Sequence, residues 1–308
     1  MDEESGNNKN SVSTEIRKLS AIVEGLDMTS LEAKRCAADL KTIEVRLKSG
    51  VYEHSSFNSR RTPFVPDRTQ ELLSDLGFFW SVGAVWQNLF DRIELKPSAS
   101  VLDIGCGYFP KVELGLYYHG FEGTVTLCDP HREALEQASQ FLKFFRVPFE
   151  AQTLASTVWE LGEKRFDAIV ANHVLDDLIL AAYAKEHSLD IAALYGDEDN
   201  YMAVWTAISK TTMPEGLLQQ LVHTLITLLA PCGVILFLDY PSFSHRALGM
   251  RHLQRVVADF RAQLVRALRE AGLRELSLLG ENTIRRDRLV IKDSFVMAFK
   301  KDYQGDRL

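Results

Sequence analysis

The chain is poor in cysteine, with four residues in 308 (Cys36, Cys106, Cys128 and Cys232). They show neither metal-ligand spacing nor the density of a disulfide scaffold. No metal centre is expected, and a reducing, cytoplasmic setting is. No run of about eighteen apolar residues occurs, and no charged-then-apolar signal segment opens the N-terminus, so neither a membrane span nor membrane association is expected. Positive charge is in deficit: Lys and Arg number 35 against 42 Asp and Glu, a net charge of −7. Binding a polyanion depends on cations that neutralise phosphates, so the balance disfavours nucleic acid as a partner. Short basic clusters do occur at Arg60-Arg61, Arg68 and Arg285-Arg286 with Arg288, and they keep a local basic groove open. No internal repeat is present. Hydrophobic residues at 46% suffice for a buried core.

The most informative stretch is Val101-Leu102-Asp103-Ile104-Gly105-Cys106-Gly107-Tyr108-Phe109-Pro110. A β-rich run over Ser100–Ile104 carries Asp103 toward its carboxyl end. Gly105 and Gly107 then give a turn that a ligand can approach closely. Pro110 suits the first turn of a following helix, whose N–H groups point back toward the turn. A third glycine is missing: the dinucleotide fingerprint needs one where this chain has Pro110. Thr124–Cys128 reads as a second strand closed by Asp129-Pro130. Asp129 lies about twenty residues beyond the glycine turn, the distance at which an acid reaches ribose hydroxyls. It would equally serve as N-cap of a helix over 131–145, and the two roles are compatible.

The pattern Asp103-x-Gly105-x-Gly107, with Asp129 in step, resembles motif I and the ribose acid of the class I S-adenosylmethionine-dependent methyltransferases. The resemblance implies that Asp103, Gly105, Cys106 and Gly107 cradle the methionine part of the cofactor, S-adenosyl-L-methionine, and that Asp103 supports its ammonium. It gives the ribose to Asp129, with Pro130 beside it. Phe109 stands where many members have a further glycine, and with Pro110 it would stiffen the loop and narrow the room above it. A tight strand-to-helix turn that binds nothing is the plain alternative. Where members often carry an adenine-reading acid, after a third strand at 148–153, this chain has only Gln152, Thr153 and Ser156. Gln152 can both accept and donate, but it also reads as a polar residue on a half-buried strand end.

Phe166–Ala171 reads as a fourth strand leading into Asn172-His173-Val174-Leu175-Asp176-Asp177. This resembles the family's motif IV, which faces the transferred methyl. Asn172 is a cofactor contact by that likeness. The Asn/Asp-Pro-Pro-aromatic wording of adenine N6 and glutamine amide methylation is absent, whereas His-Val-Leu-x-x-Leu resembles small-molecule enzymes. Imidazole titrates near neutrality, so His173 can take a proton from a nucleophile, with Asp176 to orient it and Asp177 to hold a cationic substrate. The plain readings are a histidine hydrogen-bonded to cofactor or backbone, and an N-cap acid at Asp176.

Alternating strands and helices from about residue 97 predict an α/β fold. The resemblance specifies it as a Rossmann-like, doubly wound, seven-stranded, mainly parallel sheet whose last strand inserts antiparallel. Residues 1–14 read as a disordered tail. Residues 15–95 read as an N-terminal helical lid or substrate region with Phe78, Phe79, Trp80, Trp86 and Phe90 on its last helix, and Tyr52 and Phe57 as further candidates. Residues 96–308 form the S-adenosylmethionine-binding domain. A helix at 215–230, strand five at 233–239, a helix at 246–271 and strands at 275–279 and 290–300 complete it. An insertion over about 178–213 is long for a connection. Its acids and aromatics, with Tyr201 and Trp205 as substrate contacts, suit an amine-bearing ligand, or make a solvated acidic loop. Asp239-Tyr240, after strand five, points to the same edge. The function expected is S-adenosylmethionine-dependent methyl transfer to N or O of a small-molecule substrate. Two alternatives stand: a ribosomal RNA methyltransferase, which Gly-Cys-Gly-x-x-Pro after N-terminal helices also resembles, and a non-catalytic nucleotide-binding scaffold on the same fold.

Overall fold

The computed structural model describes residues 82–107, 110–144, 147–191, 194, 198–211, 216–240, 251–286 and 289–302. The expected tail over 1–14, the lid up to residue 81 with Tyr52, Phe57, Phe78, Phe79 and Trp80, and Phe109 lie outside them. A helix over 82–92 (α1) precedes β1 (Ser100–Ile104), α2 (Lys111–His119), β2 (Thr124–Cys128), α3 (Arg132–Phe144), β3 (Glu150–Leu154), β4 (Phe166–Asn172), α4 (Leu175–Glu186), α5 (Glu198–Ile208), α6 (Leu217–Leu228), β5 (Leu229–Leu238), α7 (Arg251–Glu270), β6 (Arg274–Glu275), β7 (Thr283–Arg286), β8 (Leu289–Lys292) and β9 (Val296–Lys300). Seven strands form one sheet in the order β3-β2-β1-β4-β5-β9-β6, and β7 pairs with β8 in a separate ribbon. The sheet is parallel except around β9, which runs antiparallel to both β5 and β6. This is the Rossmann-like, doubly wound, mainly parallel seven-stranded sheet with an antiparallel strand that the resemblance implies. Among the described residues no helix is long and apolar enough to cross a membrane.

The described residues fall into two compact units. One comprises those up to Ala155 with Leu278–Lys292, and the other Ser156–Ser277 with those from Asp293 onward. In the first, β1 and β2 bury Val101, Leu102, Val125 and Leu127 completely, as interior parallel strands made of near-continuous apolar runs do. Trp86 and Phe90, four residues apart on α1, are fully buried with ring centroids 5.4 Å apart. The described end of the expected lid is therefore core. In the second unit, α7 buries Leu253, Val257, Phe260, Leu264 and Leu268, the three-and-four spacing of an amphipathic helix, and it packs on α6, α4 and α5.

Four expectations change. The run expected as one strand over 290–300 is cut by a 3₁₀ turn, Asp293–Phe295. Ser277 donates to Asp293 Oδ2 at 3.0 Å, β8 turns away to pair with β7, and only β9 joins the sheet. The strand expected at 275–279 shrinks to Arg274–Glu275. Strand five begins earlier than expected, because Leu229 already pairs with Phe166 while Val234 pairs with Ala168. The intervening Pro231-Cys232-Gly233 bulges out, with Cys232 at φ 63°. The 178–213 stretch is no extended loop: it holds the rest of α4 and all of α5.

Close helix contact in the first unit depends on a missing side chain. A Cβ on Gly115 of α2 would stand 2.4 Å from Trp86 Cβ and 3.1 Å from the Gln87 backbone nitrogen. Gly115→Ala should therefore cost about 2–3 kcal/mol by overpacking, although alanine is the better helix former. Denaturant unfolding will show the lowered midpoint.

Candidate functional site

The parallel registers place the polar residues. Ile104, Cys128 and Leu154 pair side by side at the carboxyl ends of β1, β2 and β3. The next residues, Gly105, Asp129 and Ala155, therefore leave the sheet together. The ladder runs one step further on each: Gly105 N–H donates to Cys128 O at 2.8 Å, and Asp129 N–H to Leu154 O at 3.3 Å. Gly105 and Gly107 both adopt left-handed backbone, φ 67° and 64°, where a Cβ is costly. Gly107 N–H donates to Asp129 Oδ2 at 3.0 Å and His131 N–H to Oδ1 at 2.8 Å. Asp129, 5% exposed, thus ties the glycine turn to the start of α3. Burial raises its pKa, opposed by these two N–H groups. Each carboxylate oxygen has a second acceptor position, so capping leaves capacity for hydroxyl donors.

Cys106 is buried, and its thiol reaches the Gly107 carbonyl at 3.6 Å. Burial, then the Asp103 charge, pushes its pKa well up, so it packs as an inert thiol. Asp103 is 1% exposed, and no hydrogen bond of standard geometry reaches its Oδ1. Pro110 occupies the N-cap position of α2 rather than its first turn, and Pro130 is exposed. Gln152 does not join this group. It lies exposed within edge strand β3, two residues before its end, and donates to Glu150 Oε1 at 3.0 Å. A groove of about 420 Å³ beside α3 is lined by Arg132, Glu136, Ser139, Lys143, Thr153 and Ala155 among others; it includes neither the glycine turn nor Asp129.

The second unit repeats the device. Asn172 pairs with Leu238 at the ends of β4 and β5, so His173 and Asp239 emerge as neighbours. His173 N–H donates to Leu238 O at 2.8 Å, and the residue takes a left-handed φ of 60°, uncommon for a side chain of this size. Its ring Nδ1–H donates to Asp239 Oδ1 at 3.2 Å and its ring stacks on Tyr240, centroids 5.4 Å apart at 18°. Asp239 is further fixed by its own N–H to Phe295 O at 2.9 Å, and its carbonyl accepts from Arg261 at 3.4 Å. Asn172 is 8% exposed.

Asp176 is not an N-cap. Val174 holds that position, and Asp176 and Asp177 sit in the first turn of α4, where the helix dipole favours negative charge. Asp176 is 6% exposed. Its pKa is raised by burial, with the His173 charge acting against this and Asp239 adding to it. Asp177 is half-buried. Tyr201 and Trp205 of α5 are buried, their rings edge-on at 6.4 Å, and this makes them core of the second unit. Tyr240 is 7% exposed.

Sequence reasoning placed Asp239 at this edge without giving it the histidine. The available signal was an acid directly after a strand, in step with His173 directly after another. It missed Glu113 altogether.

Residues 81–278 match a family model described as a methyltransferase domain. No curated protein matches the chain. Among solved structures, an N-methyltransferase, NodS, from Bradyrhizobium japonicum is 18% identical over 71% of this chain and 94% of its own, with a TM-score of 0.39. A ribosomal protein L11 methylase from Lactobacillus delbrueckii is 14% identical over 72% and 78%, TM-score 0.40. An S-adenosylmethionine-dependent O-methyltransferase from Thermotoga maritima is 14% identical over 81% and 71%, TM-score 0.41. All three scores fall below 0.5, and the family assignment rests on the domain match.

The open side of the glycine turn gives a separable test. Nothing stands within 4 Å of a Cβ built on Gly107, so Gly107→Ala adds backbone strain without a clash. Its unfolding midpoint should fall by the equivalent of about 1–2 kcal/mol with the denaturant slope unchanged.

Proposed function

Because the chain belongs to the methyltransferase-domain family, we propose that it is an S-adenosylmethionine-dependent methyltransferase acting on nitrogen or oxygen of a small, amine-bearing molecule. The observation that carries this reading is the left-handed Gly105–Gly107 turn tied to Asp129, with the buried Asp103 oxygen lacking a donor beneath it. These groups fit the cofactor. An unsatisfied buried acceptor complements an ammonium, and a Cβ-free turn admits the amino-acid end. A carboxylate with two remaining acceptor positions suits vicinal hydroxyls.

In this reading Asp103, Gly105, Cys106 and Gly107 hold the amino-acid end, and Asp129 with Pro130 the ribose. Gln152, engaged with Glu150 on an edge strand, has no part. The cofactor, when bound, supplies a methyl made electrophilic by its sulfonium. The protein aligns the acceptor and excludes water. An amine that is already neutral needs no base. For an oxygen nucleophile His173 takes the proton at Nε2, while Asp239 fixes the tautomer through Nδ1–H and Tyr240 backs the ring. Asp176 steadies the imidazolium so formed, and Asp177 with the chain's net negative charge favours a cationic substrate. Tyr201 and Trp205 shape the unit that carries this apparatus.

One observation favours a second reading, an RNA substrate. In the β7–β8 ribbon Ile284 and Ile291 are buried while Arg285 and Lys292 are exposed, a small basic face on an acidic chain. RNA binding that weakens with salt by several powers would support it; no binding at low salt would remove it.

Calorimetry should detect S-adenosylhomocysteine binding, weakened about tenfold or more by Asp129→Ala, since a lost bidentate contact to hydroxyls exceeds about 1.4 kcal/mol. Absence of binding at millimolar ligand ends the proposal. A metabolite panel with labelled methyl donor identifies the acceptor. With an oxygen acceptor, His173→Ala should lower kcat by about a hundredfold or more and Asp239→Asn by less, both leaving the donor's Kd unchanged. Methyl transfer to any substrate excludes a passive scaffold.

A further inference from the structure

The chemistry just described leaves one buried group unused. Glu113, in the first turn of α2, is 0% exposed. Its carboxylate lies within hydrogen-bonding reach of Asp103. Neither of its oxygens, nor Asp103 Oδ1, receives a hydrogen bond of standard geometry from any described residue. Two ionised carboxylates within reach of each other, away from water and with no donor of standard geometry to these three oxygens, face both a desolvation cost and mutual repulsion. A single proton between them removes the repulsion and supplies the missing donor, as in other adjacent acid pairs.

The surrounding charges do not supply a substitute. Lys111, two residues before Glu113, acts favourably on both acids, and Asp129, at the end of β2, adds negative charge to Asp103. Cys106 lies beside Asp103 with its thiol held protonated. Burial, and then Glu113, raises Asp103 well above the usual carboxylate range. Burial pushes Glu113 to about 7, opposed by Asp103 within hydrogen-bonding reach, by its own backbone N–H and by Lys111.

We propose that Glu113 is a positioning residue of the donor site: it shares one proton with Asp103 in the ligand-free protein, and that proton passes to solvent when the ligand's ammonium settles against Asp103. This rests on the reading of the glycine turn as the seat of the cofactor's amino-acid end. One positive charge enters as one leaves, so the buried site never carries two bare carboxylates. Binding of the donor, or of S-adenosylhomocysteine with the same amino-acid end, is thereby coupled to pH.

Isothermal titration of the full chain with S-adenosylhomocysteine, in buffers of differing ionisation enthalpy, reads the proton directly. Release of about one proton per ligand is expected near pH 6, fading toward pH 8, with affinity rising about tenfold over that interval. In Glu113→Gln the amide can donate to Asp103 in the proton's place, and the pH dependence should flatten. The ligand-free protein gives a second readout. Acids whose pKa is raised on folding stabilise the fold fully only below their unfolded pKa, and that stability is lost as pH rises to the folded one. The wild-type Tm should therefore fall as pH rises from about 4.5 to about 7 and level off above it, and the Glu113→Gln Tm should fall less. Binding without proton release overturns the shared proton, and release undiminished in Glu113→Gln overturns the role of Glu113. Failure to bind at any pH overturns instead the donor-site reading on which both rest. The wild-type titration decides even if the variant does not fold.

Discussion

Everything the molecule offers chemically depends on parallel strands that stop level with one another. In a parallel ladder, residues paired at the last rung release their successors side by side, and one more N–H···O bond pins each successor to its neighbour's end. Ile104 with Cys128, and separately Asn172 with Leu238, are such rungs. The glycine turn and Asp129 follow from the first, and His173 and Asp239 from the second. A slip of one residue would reverse every side chain across the sheet face. It would draw the polar tips into the sheet and turn Val101, Val125 or Ile169, all fully buried as the chain stands, to the opposite and equally packed face. Close packing on both faces therefore holds the register, and the register fixes the polar geometry.

The two clusters spend polar capacity differently. Around Asp129 the carboxylate is already engaged by two backbone N–H groups, so the loop is shaped before any ligand arrives, and ordering it upon binding costs little. Around Asp103 the reverse holds: acceptors are buried without donors, a local destabilisation that a cation would relieve. At His173 the left-handed backbone stores strain of the kind that persists where surrounding structure over-determines it. The Asp239 contact, the Tyr240 stack and the Leu238 hydrogen bond supply that constraint.

Local signals made much of this legible in the sequence. Ser100–Ile104 and Thr124–Cys128 stand out as short β-branched and apolar runs closed by glycine or Asp-Pro, and the strands have those bounds. The glycine turn showed itself because few residues tolerate its backbone. Pairings that depend on long-range register did not show. Nothing near His173 announces Asp239, 66 residues away. Glu113 looks like any acid in a first helical turn until the helix is docked over Asp103. The division of 290–300 into two strands hangs on Asp293 and its partner Ser277, again a tertiary contact. The helices within 178–213 were hidden by an acidic, aromatic composition that suits a loop equally well.

Gln152 has a plainer consequence than ligand recognition. It and Glu150 project from β3, the outermost strand on one side of the sheet, both exposed, and their mutual hydrogen bond keeps a formal charge at the rim. On the other side the terminal strand, β6, is two residues long. A flat, apolar, unpaired rim invites another chain to add itself as the next strand. Among the described residues one rim carries charge and the other is two residues long, so neither offers the long apolar template that such addition needs.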